Sequence, residues 1–187
     1  MEKPYEDFRC LSGLVKEFLA KKSLRAAFRV IGERNITGWE VWFQVEFARF
    51  LADHPDQPEW YRELRFEFDY RRERSRSYLK PDFVIRKKHA ALDPYMALEI
   101  KQHAQAGNCV ANMVADLSKV GRIRQSQIDL RSYWALGIFR ADEDDDPFAT
   151  IEAKLAEYDL PFYQGLTAVD SIGATGFAYA LLPGIDF

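Results

Sequence analysis

Residues 78–102 read YLKPDFVIRKKHAALDPYMALEIKQ, two short apolar runs, LKPDFVIRK and YMALEIKQ, joined by KHAALDP. Each run has strand length, and the link between them carries the Asp-Pro pair of a turn, so an antiparallel pair of strands is expected. Asp82 stands at the head of the first strand, and Glu99 and Lys101 stand inside the second, where a core-bound strand would carry valine or isoleucine. Successive side chains of a strand point to opposite faces, so Glu99 and Lys101 share a face while Ile100 points the other way. A hairpin centred in the link allows Asp82 to face Glu99, with their Cβ atoms about 5 Å apart.

Two carboxylates that close repel, and one takes up a proton unless a cation compensates them. Hard oxygen ligands at that separation suit Mg2+, which also binds phosphate oxygens. A lysine pointing the same way can orient or help deprotonate an attacking water and offset charge on a phosphorane. Asp82, Glu99 and Lys101 together therefore describe phosphodiester hydrolysis.

Outward from this hairpin, residues 5–33 place Leu11, Leu14, Val15, Phe18 and Leu19 at helical spacing and predict one or two amphipathic helices. Thr37 with Glu40 three residues on reads as a capping box, and Ile36 with Val41 as a hydrophobic staple, so a helix is expected over 38–53, closed by His54-Pro55. Alternation through Leu64, Phe66, Phe68 and Tyr70 predicts a strand, followed by a turn at RSRS. A helix after Gly107 to about residue 124, a strand over SYWALGIFR, a solvated DEDDD loop, a helix opened by Asp146-Pro147 and one or two strands in TAVDSIGATGFAYALLP complete the chain.

The order is helix, three strands, helix, strand: an α/β layer around a mixed sheet. No repeat or linker divides the 187 residues, so one domain is expected: residues 1–36 a helical extension, 37–140 the core, 141–187 additions of further elements including strands.

The helix before the sheet offers Glu40 and Glu46 as a third carboxylate. At about 100° per residue Glu46 falls within the apolar stripe of Trp39, Trp42, Phe43 and Phe50, whereas Glu40 lies at its margin and carries the capping task. A charge on a core-facing stripe needs a partner, so Glu46 is the expected site residue. The aromatic stripe itself is read as core rather than as a stacking surface for bases.

Glu46, then Pro81-Asp82, then Glu99-Ile100-Lys101 on an αβββαβ order resembles the PD-(D/E)xK phosphodiesterase superfamily, the restriction endonuclease-like fold, over residues 37–140. The resemblance implies a restriction endonuclease-like αβββαβ core and a metal-dependent nuclease acting on DNA, leaving a 5′-phosphate. It implies that Asp82, Glu99 and the Ile100 carbonyl hold Mg2+ or Mn2+, that Lys101 assists the attacking water, and that Glu46 is an ancillary ligand or water orienter. Lys119, one turn from Asp116 on the helix after the motif, is implied as a phosphate contact. Gln102 and His103 are secondary candidates because they follow the motif directly.

Formal charge is −3, yet residues 71–88 hold eight cations against Glu73 and Asp82, a local +6 that leaves −9 elsewhere. Arg71, Arg72, Arg74, Arg76 and Lys80 are the expected backbone contacts to DNA. The alternative is a catalytically inactive nuclease fold that binds nucleic acid or a regulatory partner, favoured by the overall negative charge. Double-strand cleavage would require two copies, such as a homodimer; membership of a larger defence, mobile-element or toxin system is a further expectation about partners.

Cys10 and Cys109 are too few for a disulfide framework and lack CxxC spacing, and His54 and His89 show no zinc-ligand spacing. The opening MEKPYEDF has no apolar signal region and no apolar run reaches about 20 residues, so a cytoplasmic protein without membrane partners is expected.

Overall fold

The computed structural model describes residues 2–66, 79–89, 94–121, 130–141 and 146–184. In chain order the elements are α1 (Glu2–Leu19), α2 (Lys22–Arg34), α3 (Glu40–Ala52), β1 (Glu59–Arg62), β2 (Phe83–Arg86), β3 (Tyr95–Gln102), α4 (Ala106–Gly121), β4 (Leu130–Arg140), α5 (Pro147–Glu157), a 3-10 turn (Gln164–Leu166), β5 (Ala168–Ser171) and β6 (Phe177–Pro183). Among the described residues the six strands form one open mixed sheet in the order β1-β2-β3-β4-β6-β5. β1, β2 and β3 are antiparallel neighbours, and α4 carries the chain over to β4, which lies parallel to β3. A parallel neighbour needs such a crossover because a tight turn can only reverse the chain.

Strand parity decides which helices cover which face. Phe83, Ile85, Leu98, Ile100, Trp134, Leu136 and Ile138 point to one side and share a buried core with α1, α2 and α3. Val84, Ala97, Tyr133, Ala135 and Phe139 point to the other, against α4 and α5. The N-terminal helices are part of the main core: the Phe18 ring lies 5.2, 5.1 and 5.5 Å from those of Phe43, Phe47 and Phe50. Such aromatic pairs add about 0.5–1.5 kcal/mol each beyond their burial.

α4 approaches the sheet closely because β4 carries glycine at 137. A Cβ there would overlap the Met113 Sδ and stand 3.0 Å from the Cys109 Sγ. Gly137 is also the strand neighbour of Lys101.

The start of α3 differs from the capping-box expectation. Gly38 takes φ +71, a left-handed conformation that no helical turn contains, so the helix opens at Glu40 behind Trp39, with no side-chain cap. Ile36 and Val41 are 45% and 60% exposed and make no staple. Only the cap of α5 is as read, with the Asp146 carboxylate accepting from the Ala149 N–H at 3.1 Å. β1 begins earlier than the alternation implied and ends at Arg62; Phe66 bridges Leu79, while Phe68 and Tyr70 lie outside the described residues.

Candidate functional site

β2 and β3 pair as Phe83 with Leu98, Val84 with Ala97 and Ile85 with Met96, and one further step in this register sets Asp82 opposite Glu99. Pro81, the next position, would face Ile100, and it has no N–H for a ladder. β2 accordingly starts at Phe83, and the Asp82 carboxylate takes the Ile100 N–H that the ladder leaves over, at 2.7 Å. An extended residue directs its N–H and C=O to the same strand edge, so the Ile100 carbonyl opens toward Asp82 as well.

Glu99 and Lys101 share the sheet face under α4, and the helix completes a network around them. The Lys101 Nζ donates to Glu99 Oε1 at 2.7 Å and to Asp116 Oδ2 at 2.8 Å. The Tyr133 hydroxyl, from β4, donates to Glu99 Oε2 at 3.2 Å, and Lys119 reaches Asp116 Oδ1 at 2.5 Å.

The electrostatics follow. Burial, then the charge of Glu99, pushes the Asp82 carboxyl up to about 7, against the opposing pull of the Ile100 N–H and Lys101. For Lys101, burial works toward deprotonation, but hydrogen bonds to Asp116 and Glu99 outweigh it and hold the ammonium well above the usual lysine range. Burial would raise Asp116, yet its bonds from Lys101 and Lys119 keep it below the ordinary aspartate value. Tyr133, raised by burial and by Glu99, stays a neutral donor. Burial also pushes the Cys109 thiol to about 12, which makes it a core side chain rather than a nucleophile.

The carboxylate that α3 brings here is Glu40, not Glu46. Burial raises the Glu40 carboxyl, Lys101 and the Gln102 main chain oppose this, and Glu99 and Asp116 add to it, so Glu40 stands within the field of the same network. Glu46 instead lines a cleft of about 370 Å3 with Phe18, Lys21, Leu24, Trp42 and Arg49, on the side of α3 that meets α1 and α2. The choice of Glu46 rested on its place in the apolar stripe of Trp39, Trp42, Phe43 and Phe50 and on a capping task for Glu40 that the late helix start removes. On a wheel of about 100° per residue Glu40 lies about 20° from Phe47, whereas Glu46 lies about 100° away, so the position of the buried Phe47 was the usable signal.

Lys80 pairs with Glu63 at 2.8 Å. Gln102 closes β3, and the His103 Nδ1 accepts from the Gln105 N–H at 3.0 Å at the entry to α4. Lys119 is 70% exposed and tied to Asp116. Arg71, Arg72, Arg74 and Arg76 lie outside the described residues. Tyr133 and the bond from Asp116 to Lys101 were not anticipated; a tyrosine in an apolar strand does signal a hydroxyl in need of a partner.

Among the described residues no three Asp, Glu, His or Cys side chains converge as a ready metal-holding group. The oxygens that a divalent cation could take are those of Asp82 and Glu99 with the Ile100 carbonyl, a hard donor set suited to Mg2+ or Mn2+. Burial raises Asp82 first and the charge of Glu99 adds to it; a divalent cation would relieve the repulsion between the two carboxylates. Comparison with protein-family models, with curated proteins and with solved structures finds no match to this chain. Among the described residues no helix is long and apolar enough to cross a membrane.

Proposed function

We propose that the chain is a metal-dependent nuclease of the PD-(D/E)xK type that hydrolyses DNA phosphodiester bonds. The observation that carries this reading is the bond from the Ile100 N–H to the Asp82 carboxylate, one step beyond the last β2–β3 pair, which sets Asp82 beside Glu99 within reach of its charge. The αβββ order followed by α4 and a parallel β4 is consistent with the restriction endonuclease-like core that the motif implies.

In this reading Asp82, Glu99 and the Ile100 carbonyl hold Mg2+ or Mn2+. The bound cation supplies Lewis acidity and a water made nucleophilic near neutral pH. Lys101, a firm cation in this network, stabilises charge developing on the phosphate and donates to the attacking water rather than removing its proton. Asp82 and Glu99 must both be ionised for this chemistry. Glu40 borders the same space from α3 and can orient water there. The leaving group is the 3′-oxygen, and the product carries a 5′-phosphate.

Incubation of the protein with supercoiled plasmid and labelled single-stranded DNA in Mg2+, Mn2+ or EDTA, beside Asp82→Ala and Lys101→Ala, tests it. Metal-dependent cleavage that both variants abolish is expected. A second reading, a binding module without turnover, draws on the closed Glu99–Lys101–Asp116 network, which satisfies its charges without a metal. DNA retention without cleavage would favour it.

A further inference from the structure

Lys101 is anchored by Glu99, and Glu99 is one of the oxygens that the cation would take. Once Glu99 turns to a divalent cation, its hold on the ammonium weakens, and a lysine on a flexible four-carbon stem would swing into solvent. A cation nearby would also repel it.

We propose that Asp116 is a positioning residue that keeps Lys101 at the site after Glu99 has been drawn to the metal, an inference that rests on the nuclease reading. Asp116 is suited to this for three reasons. Its Oδ2 lies 2.8 Å from the Lys101 Nζ, so the hold exists before any rearrangement. Its Oδ1 is taken by Lys119 at 2.5 Å, which fixes the carboxylate's orientation and leaves Oδ2 for Lys101. It comes from α4, an element separate from β3, so movement of Glu99 need not disturb it.

α4 is itself firmly placed. Cys109, Val110, Met113, Val114 and Leu117 are fully buried, and Met113 and Cys109 seat against Gly137, the strand neighbour of Lys101. Asp116 and Glu99 thus form a redundant pair: either holds Lys101 alone, and only one of them is free to leave.

The test reads the lysine directly, by competitive acetylation with acetic anhydride and mass spectrometry of the peptide carrying Lys101. Wild type, Glu99→Gln, Asp116→Asn and the double variant are compared without metal, then wild type and Asp116→Asn with Mn2+. Lys154, partly buried and paired with Glu157 on α5, which no variant touches, serves as the internal control for folding. Either single variant should raise Lys101 labelling no more than about threefold, and the double variant about tenfold or more. Mn2+ should raise labelling in Asp116→Asn and leave wild type protected. A double variant that labels no faster than Glu99→Gln alone, or an Mn2+ response that is the same in wild type and Asp116→Asn, overturns the proposal.

Turnover gives the second arm. Asp116→Asn should lower kcat for DNA cleavage about 10- to 100-fold with KM within about twofold, and Asp116→Glu should recover part of it; an unchanged kcat overturns the role. If wild type cleaves nothing, the nuclease reading fails, and the labelling comparison still decides whether Asp116 holds Lys101.

Discussion

Asp82→Asn in metal-free buffer should stabilise the protein, and more so at alkaline than at acid pH. The carboxyl moves from an ordinary 3.8 to about 7 on folding, because burial and Glu99 disfavour its charge. A raised acid leaves folding undisturbed below its unfolded value, where both states are protonated; stability is then lost as pH rises toward the folded value, and the penalty is complete above about 7. At about 1.36 kcal/mol per unit the full penalty has a ceiling of about 4 kcal/mol, and the part that accrues between pH 5.5 and 8 is about 2 kcal/mol. Asparagine keeps an oxygen for the Ile100 N–H and carries no charge. Its stabilising effect should therefore be greater at pH 8 than at pH 5.5 by about 2 kcal/mol, roughly 4–8 °C in Tm for a chain of this size. Urea unfolding of both proteins in EDTA at the two pH values measures it. Equal effects at both pH values would show that Asp82 ionises as an ordinary surface aspartate, and the burial beside Glu99 on which the proposed metal site rests would be refuted.

Three further outcomes are expected. Glu40→Gln should weaken Mn2+ binding or cleavage several-fold, while Glu46→Gln leaves both unchanged, read by isothermal titration and plasmid nicking; the reverse pattern would restore Glu46 to the site. Asp146→Ala should remove the α5 cap at a loss of about 1 kcal/mol in denaturant unfolding, with cleavage untouched. Gly137→Ala should cost about 1–3 kcal/mol, since the added methyl must displace Met113 or lift α4, and thermal melts give the value.

β2, β3 and β4 were legible because parity and length speak locally: FVIR, YMALEIKQ and the apolar run before Arg140 each declare themselves within a few residues, whereas β1 lies upstream of the alternation from which a strand was expected. A hairpin centred in the link allowed the register that sets Asp82 opposite Glu99 without requiring it, and the pairing of Phe83 with Leu98 selects it. α3 misled because Thr37 and Glu40 carry the residue types of a capping box while Gly38 between them sits at φ +71, and a backbone angle of that sign is not written in side-chain spacing. The misplaced cap, with the place of Glu46 in the aromatic stripe, then steered the third carboxylate to Glu46. Asp116 and Tyr133 could not be assigned from spacing at all. Their reach to Lys101 and Glu99 depends on how α4 is rotated over the sheet and on which strand lies beside β3, and both are settled by packing at long range.

That packing turns on a hydrogen atom where most residues carry a carbon. At position 137 the absence of a methyl lets α4 settle low enough for Asp116 to meet Lys101 on the neighbouring strand. A substitution there would register in a melting curve as an ordinary loss of packing, yet its reach would extend to the spacing of an ion pair it does not touch. One residue would then serve the core and the Asp116–Lys101 pair together, and its missing methyl would be the gauge that sets the distance between helix and sheet.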